Sequence, residues 1–322
     1  MKAVLCRQYG EPLTMADVTP PPLGAGEVRI QVAACGINFP DTLIIQGKYQ
    51  FKPDLPFSPG SEVAGEVIEV APDVSGFAIG DPVIAVTLWG GFAEQIIAKA
   101  WQVMHRPASM DAVTAAAFSM TYGTSYHALK QRAGLKSGET LLVLGAAGGV
   151  GLAAVELGRL MGARVIAAAS SEAKLALARE YGASETIDYS KGSLKEQIKA
   201  LTDGRGADVI YDPVGGDLGT EAVRGLAWNG RLLIVGFAGG AIQSIPANLP
   251  LLKGASVVGV FWGAFREKEP EVEAENFRQL FAWHSEGRLK PLISRTFPLE
   301  QAADALAVLS SRSAMGKLVL TV

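Results

Sequence analysis

The chain has 322 residues, enough for two domains with separate cores at roughly 150 residues per domain. Half of it (49%) is hydrophobic and only 19% is charged, which excludes global disorder; the net charge of −3, with no basic run, argues against a nucleic-acid partner. No stretch reaches the roughly 18 apolar residues of a membrane span, and the apolar stretch Ala3 to Cys6 is too short for a signal-peptide core, so a soluble cytoplasmic protein with no membrane contact is expected. Two cysteines, Cys6 and Cys35, make no disulfide framework, and with three histidines they supply few soft metal ligands.

Residues 1 to about 100 read as β-rich. Short alternating apolar runs (Glu27 to Ala33, Val63 to Val70, Pro82 to Val86, Ala93 to Ala98) are divided by Pro and Gly punctuation such as Pro59-Gly60 and Gly80-Asp81-Pro82. Met110 to Arg132 lacks Pro and has helical spacing in parts. From Thr140 strands alternate with helices. Strands are expected at 141–144, 164–169, 185–188, 208–211, 231–236 and 255–261, with helices at 150–161, 172–181, 194–201 and 218–226. Apolar strands without polar alternation, joined by helices, predict a doubly wound parallel sheet covered on both faces. The tail, from about Asn276, reads as a helix, a segment 293–298, a helix 299–309 and a last strand 317–322.

The strongest local signal lies in residues 141 to 170. An apolar strand runs into Gly145, Ala147, Gly148, Gly149, Val150 and Gly151, followed by a helix and a second strand, which is the setting a dinucleotide fingerprint requires. Glycine allows the sharp turn and the close approach of backbone to a pyrophosphate. Gly151 allows helix and strand to pack tightly, and the phosphates then sit on the helix N-terminus. The second strand ends in Ala169-Ser170-Ser171-Glu172-Ala173-Lys174, where an NAD site places an acidic side chain on the ribose. Small and hydroxyl groups with one cation suit a 2′-phosphate instead. Glu172 argues the other way, but as a first-turn residue it serves the helix dipole. NADPH is the expected cofactor.

These motifs, with Ala34-Cys35-Gly36-Ile37-Asn38-Phe39-Pro40-Asp41 and Pro59-Gly60-Ser61-Glu62-Val63-Ala64-Gly65, resemble the zinc-free medium-chain dehydrogenases/reductases, and among them the quinone oxidoreductase (zeta-crystallin-like) family. The resemblance runs to the Gly316-Lys317-Leu318-Val319 ending. It implies an α/β fold with a GroES-like catalytic domain (1–122), a Rossmann domain (123–264) and a return to the catalytic domain (265–322). Zinc enzymes of the superfamily carry Cys, His and a third ligand where this chain has Asn38, Ser61 and Met120, so no metal is expected.

Position by position, the resemblance implies that Asn38, Tyr49 and Thr124 line the nicotinamide and substrate site as catalytic residues. Ser170, Ser171, Lys174 and Tyr189 match the adenosine and 2′-phosphate end. Gly236, Phe237, Ala238, Val260, Phe261 and Trp262 match segments running along the cofactor, and Lys317 matches a lysine near the site. Leu43 stands where a relative has a tyrosine, making the substrate site more apolar. The implied activity is metal-free hydride transfer from NADPH to a quinone, with Asn38 or Tyr49 giving one hydrogen bond to the developing oxyanion. The alternatives are an NADPH-dependent 2-alkenal, enone or enoyl-CoA double-bond reductase, and a non-catalytic NADPH-binding protein. By the same resemblance, a homodimer forms through the last Rossmann strands.

Overall fold

The computed structural model describes all 322 residues. The chain divides into two compact units, Met1–Met120 with Pro291–Val322, and Thr121–Lys290. In chain order the first unit contains β1 (Lys2–Leu5), β2 (Thr14–Asp17), β3 (Glu27–Ile37), α1 (Phe39–Ile44), β4 (Glu62–Val70), β5 (Pro82–Val86), β6 (Gln95–Lys99), β7 (Val103–His105) and α2 (Ala112–Ala115). The second contains α3 (Thr124–His127), β8 (Thr140–Leu144), α4 (Gly149–Leu160), β9 (Arg164–Ala169), α5 (Glu172–Glu180), β10 (Glu185–Asp188), α6 (Leu194–Leu201), β11 (Ala207–Asp212) and α7 (Gly216–Ala222). It continues through β12 (Leu226–Ile234), α8 (Asn248–Lys253), β13 (Ser256–Gly259), α9 (Trp262–Lys268) and α10 (Pro270–Ser285). The chain then returns to the first unit as β14 (Ile293–Pro298), α11 (Ala302–Ser310) and β15 (Lys317–Thr321).

In the first unit the strand order is β14-β15-β3-β4-β5-β7, with β6 also paired to β3. The eleven-residue β3 is the spine. It pairs antiparallel with β6 over 27–31, with β15 over 34–37 and with β4 along both stretches. Alternating residues such as Val28, Ile30 and Val32 enter a core shared with Val63, Val83, Phe92 and Leu320.

The second unit holds a parallel sheet of order β10-β9-β8-β11-β12-β13. The chain winds outward from β8 through β9 to β10, then crosses to β11 and winds the other way. The strand order therefore reverses between β8 and β11, where doubly wound sheets bind ligands at the carboxyl ends. Strand β8 is buried at every residue, as a central strand covered on both faces must be.

One helix limit expected from the sequence needs correction. The helix expected from about Asn276 begins at Pro270, whose fixed φ suits a first helical position. Residues 265–290 group with the second unit, which runs from Thr121 to Lys290. The reason is packing: Glu273 accepts the Trp262 indole N–H at 2.7 Å, and Asn276 accepts from Lys130 and Gln131. The stretch 110–132 is helical but interrupted by π-helical turns at Ser119–Gly123 and Ala128–Arg132.

Candidate functional site

In the first unit, strand register assembles a buried polar cluster at the end of β3. Leu318 of β15 pairs with Ile37, which sets Lys317 beside Asn38, and Glu62 of β4 pairs with Gly36 on the other side. The Lys317 ammonium donates to Asn38 Oδ1 at 2.6 Å, to Glu62 Oε2 at 3.0 Å and to the Ile37 carbonyl at 3.1 Å. An ammonium has three hydrogens, so Lys317 is saturated. Asn38 Nδ2 donates to Glu62 Oε2 (3.1 Å) and to the Gly36 carbonyl (3.2 Å), which uses both amide hydrogens. The remaining Glu62 oxygen accepts the Met120 backbone N–H at 2.8 Å.

Asp41 closes the cluster. Its carboxyl accepts the Asn38 backbone N–H at 2.8 Å at the start of α1, and burial pushes its pKa up to about 7. Tyr49, half-buried beyond α1, packs by its ring near Phe51 and makes no hydrogen bond through its hydroxyl. Burial and the nearby Asp41 raise its pKa, so the phenol keeps its proton. Within this cluster Tyr49, not Asn38, has a donor to offer. Leu43 is half-buried on α1.

In the second unit the glycine loop follows β8. Gly145 takes φ +58, a conformation other residues adopt only at a cost, and its carbonyl accepts the Gly148 N–H at 3.0 Å. A methyl group on Gly151 would fall on the Gly145 carbonyl oxygen, so glycine is what lets α4 pack against the turn. Gly148 differs: an added Cβ would lie 3.4 Å from that oxygen, an ordinary contact. No side chain caps α4 at Gly148, leaving its first amides open. Ala147 is buried under the loop, while Gly149 and Val150 form the half-buried first turn of α4. The Ser125 hydroxyl ties the Val150 carbonyl (2.9 Å) to the wholly buried Tyr211 hydroxyl (2.9 Å), fixing the loop to β11. Thr124, the neighbour of Ser125, is half-buried with no side-chain hydrogen bond.

The other expected residues cluster at the same carboxyl edge of the sheet. Ser170 and Ser171 follow β9, and Ser171 heads α5 without capping it, so helix amides and hydroxyls alike are open. Lys174 is half-buried one turn on, and Tyr189 follows β10, half-buried. Glu172 is turned back along α5 to Arg179, Oε1 to guanidinium 2.6 Å, and that ion pair lowers its pKa. Gly236, Phe237 and Ala238 follow β12, half-buried, with the Ala238 N–H on the Pro213 carbonyl at 3.0 Å. Val260 is held by its N–H on Ile234 (3.0 Å), Phe261 is exposed, and the Trp262 ring is buried against Gly123 with its N–H on Glu273.

Open helix amides, a loop that needs glycine, and hydroxyls with a lysine at the next strand tip fit a dinucleotide carrying an extra phosphate. Lys317 is the outlier. It lies in the first unit, with all its donors held by that unit's own acceptors.

Residues 24–108 match the alcohol dehydrogenase GroES-like domain and residues 149–279 the zinc-binding dehydrogenase family. The quinone oxidoreductase-like protein 2 homolog of Nematostella vectensis is 42% identical over 99% of this chain and 88% of its own. The quinone oxidoreductase of Sus scrofa is 35% identical over 99% and 97%. This chain belongs to the quinone oxidoreductase family of medium-chain dehydrogenases/reductases. The family likeness extends to three dimensions: Escherichia coli quinone oxidoreductase, crystallised with NADPH, superposes with a TM-score of 0.94 at 28% identity, covering both chains completely.

Zinc does not fit the positions where the superfamily's zinc enzymes hold it. Asn38, Ser61 and Met120 offer an amide, a hydroxyl and a thioether, and the adjacent Glu62 carboxylate is already held by the Lys317 ammonium.

The sequence reading missed Glu62 as the group that joins Asn38 to Lys317. The signal was present as a carboxylate heading the apolar stretch Val63-Ala64-Gly65, and the structure buries it completely.

Proposed function

We propose that the protein is an NADPH-dependent reductase of quinones or similar conjugated acceptors, working without metal. The observation that carries the cofactor half of this reading is the turn after β9. Its open amides and two serine hydroxyls stand at the start of α5 with Lys174 one turn on, and the Glu172 carboxylate beside them is paired with Arg179. Gly145, Ala147, Gly148, Gly149, Val150 and Gly151 would hold the pyrophosphate, and Ser170, Ser171, Lys174 and Tyr189 the 2′-phosphate and adenosine. Thr124, Gly236, Phe237, Ala238, Val260 and Phe261 would line the rest of the dinucleotide.

When bound, NADPH supplies a hydride. The chain's own groups position the acceptor and meet the charge that develops on it. Tyr49 donates a hydrogen bond to the acceptor oxygen. Asn38 is a fixed wall, its amide locked by Lys317 and Glu62, and Lys317 supports that wall instead of touching the cofactor. Quinones suit such a site because the added electrons delocalise over the ring and need no Lewis acid. Leu43, Tyr49 and Phe51 give the acceptor an apolar bed.

A homodimer is part of the reading. Strand β13 is a sheet edge, and Trp228, Leu251, Leu252 and Val257 beside it on β12, α8 and β13 are 71%, 75%, 69% and 44% exposed. Trp228→Glu should turn a dimer into a monomer by sedimentation; a wild-type monomer would refute the assembly. The free thiols of Cys6 and Cys35 suit a cytoplasmic setting.

The acceptor is tested by NADPH oxidation with 1,4-benzoquinone and 9,10-phenanthrenequinone against crotonyl-CoA and 2-hexenal. Quinone turnover supports the reading. Fast enal turnover without quinone turnover would replace it with double-bond reduction, and tight NADPH binding with no turnover would replace it with a binding protein.

A further inference from the structure

Glu172 is the first residue of α5 and lies two residues beyond the serine at the tip of β9. A carboxylate facing that turn would accept from a ribose 2′-hydroxyl and repel a 2′-phosphate. Left to itself, a first-turn glutamate faces the amide end of its own helix, where the dipole favours negative charge. In this protein it does the opposite. Arg179 stands seven residues on, about 10 Å along the helix axis, and the two side chains meet at 2.6 Å only by extending toward each other. The guanidinium is fixed from its other side by the Thr186 hydroxyl of β10 at 2.8 Å. The second carboxylate of this rim, Asp188, is likewise occupied, by Lys191 at 3.2 Å and by the N–H and hydroxyl of Ser190.

We infer that Arg179 is a specificity-positioning residue for the dinucleotide: by drawing the Glu172 carboxylate away from the β9–α5 turn, it leaves that turn able to accept a 2′-phosphate. The inference rests on the NADPH reading and adds to it a residue that touches no ligand. As an exposed pair, Arg179 and Glu172 contribute little to stability, so the consequence of separating them falls on cofactor choice.

Dissociation constants for NADPH and NADH, measured by fluorescence on the full chain at low ionic strength, test this. The wild type binds NADPH more tightly. Arg179→Ala lowers the NADPH-over-NADH preference by about five-fold, an effect that fades in high salt, by weakening NADPH binding without weakening NADH binding. Arg179→Lys, which can still pair with Glu172, keeps the wild-type preference. The decisive comparison is in the Glu172→Gln background, where removing Arg179 has no further effect, because nothing remains for it to hold. An equal loss of preference in both backgrounds would overturn the inference, since Arg179 would then attract the phosphate directly. An unchanged preference in Arg179→Ala would overturn it too. A wild type with no preference would instead overturn the NADPH reading, and the inference with it.

Discussion

The ammonium of Lys317 lies 2.6 Å from Oδ1 of Asn38, a residue 279 positions away in the chain. The contact joins the last strand to the third and, through Glu62, to the fourth, and it fixes which way the Asn38 amide faces. Lys317 and Glu62 are 6% and 0% exposed, so neither charge has water to fall back on.

Removing one partner should therefore cost far more than the pair's net worth. Lys317→Met is expected to lower stability by about 3–5 kcal/mol in urea unfolding, because Glu62 is left buried and unpaired. Adding Glu62→Gln should recover part of that loss. NADPH affinity should not change in any soluble variant, whereas a contact between Lys317 and the cofactor would make it fall.

Tyr49 carries an uncommitted donor beside the cluster. Tyr49→Phe should lower kcat with 1,4-benzoquinone by roughly 10²-fold with little change in Tm. Unchanged kcat would remove the tyrosine from the reaction.

The glycine loop separates folding from binding. Gly151→Ala would place a methyl group on the Gly145 carbonyl, so Tm should fall and NADPH binding with it. Gly148→Ala keeps an ordinary backbone angle (φ −76) and an ordinary contact, so Tm should hold while NADPH affinity drops. Calorimetry and NADPH fluorescence on both variants check the contrast.

Two buried carboxyls predict a pH dependence. Burial raises Asp41 from 3.8 and Glu273 from 4.5, each to about 7. Between those values the folded chain binds protons that the unfolded chain has released. Their stabilisation is complete below about pH 4 and is lost as pH rises through 7, by at most about 4 kcal/mol for each group. Unfolding free energy should fall from pH 5 to pH 8, and Asp41→Asn with Glu273→Gln should flatten that slope.

The parallel sheet was legible because its strands are uninterrupted apolar runs, Leu141 to Leu144 above all, and because the glycine turn has a strand before it and a helix after it. Strand limits were less so. β12 runs over Leu226–Ile234 rather than 231–236, passing through Asn229 at φ +60 and a register shift against β11. Two features of the site had no local signature. The meeting of Asn38, Glu62 and Lys317 depends on the register of strands far apart in sequence. The direction of Glu172 depends on an arginine two helical turns away and a threonine on the next strand. Residue type alone made Asn38 a plausible donor; only the positions of its neighbours reveal that both its hydrogens are taken.

The most direct test is rapid mixing of NADPH-loaded, metal-chelated protein with 1,4-benzoquinone. Bound NADPH should be oxidised in a single turnover, and deuterium at the cofactor's C4 should slow it. Bound NADPH that survives quinone but is consumed by 2-hexenal, or turnover that returns only with added zinc, would contradict the proposed chemistry.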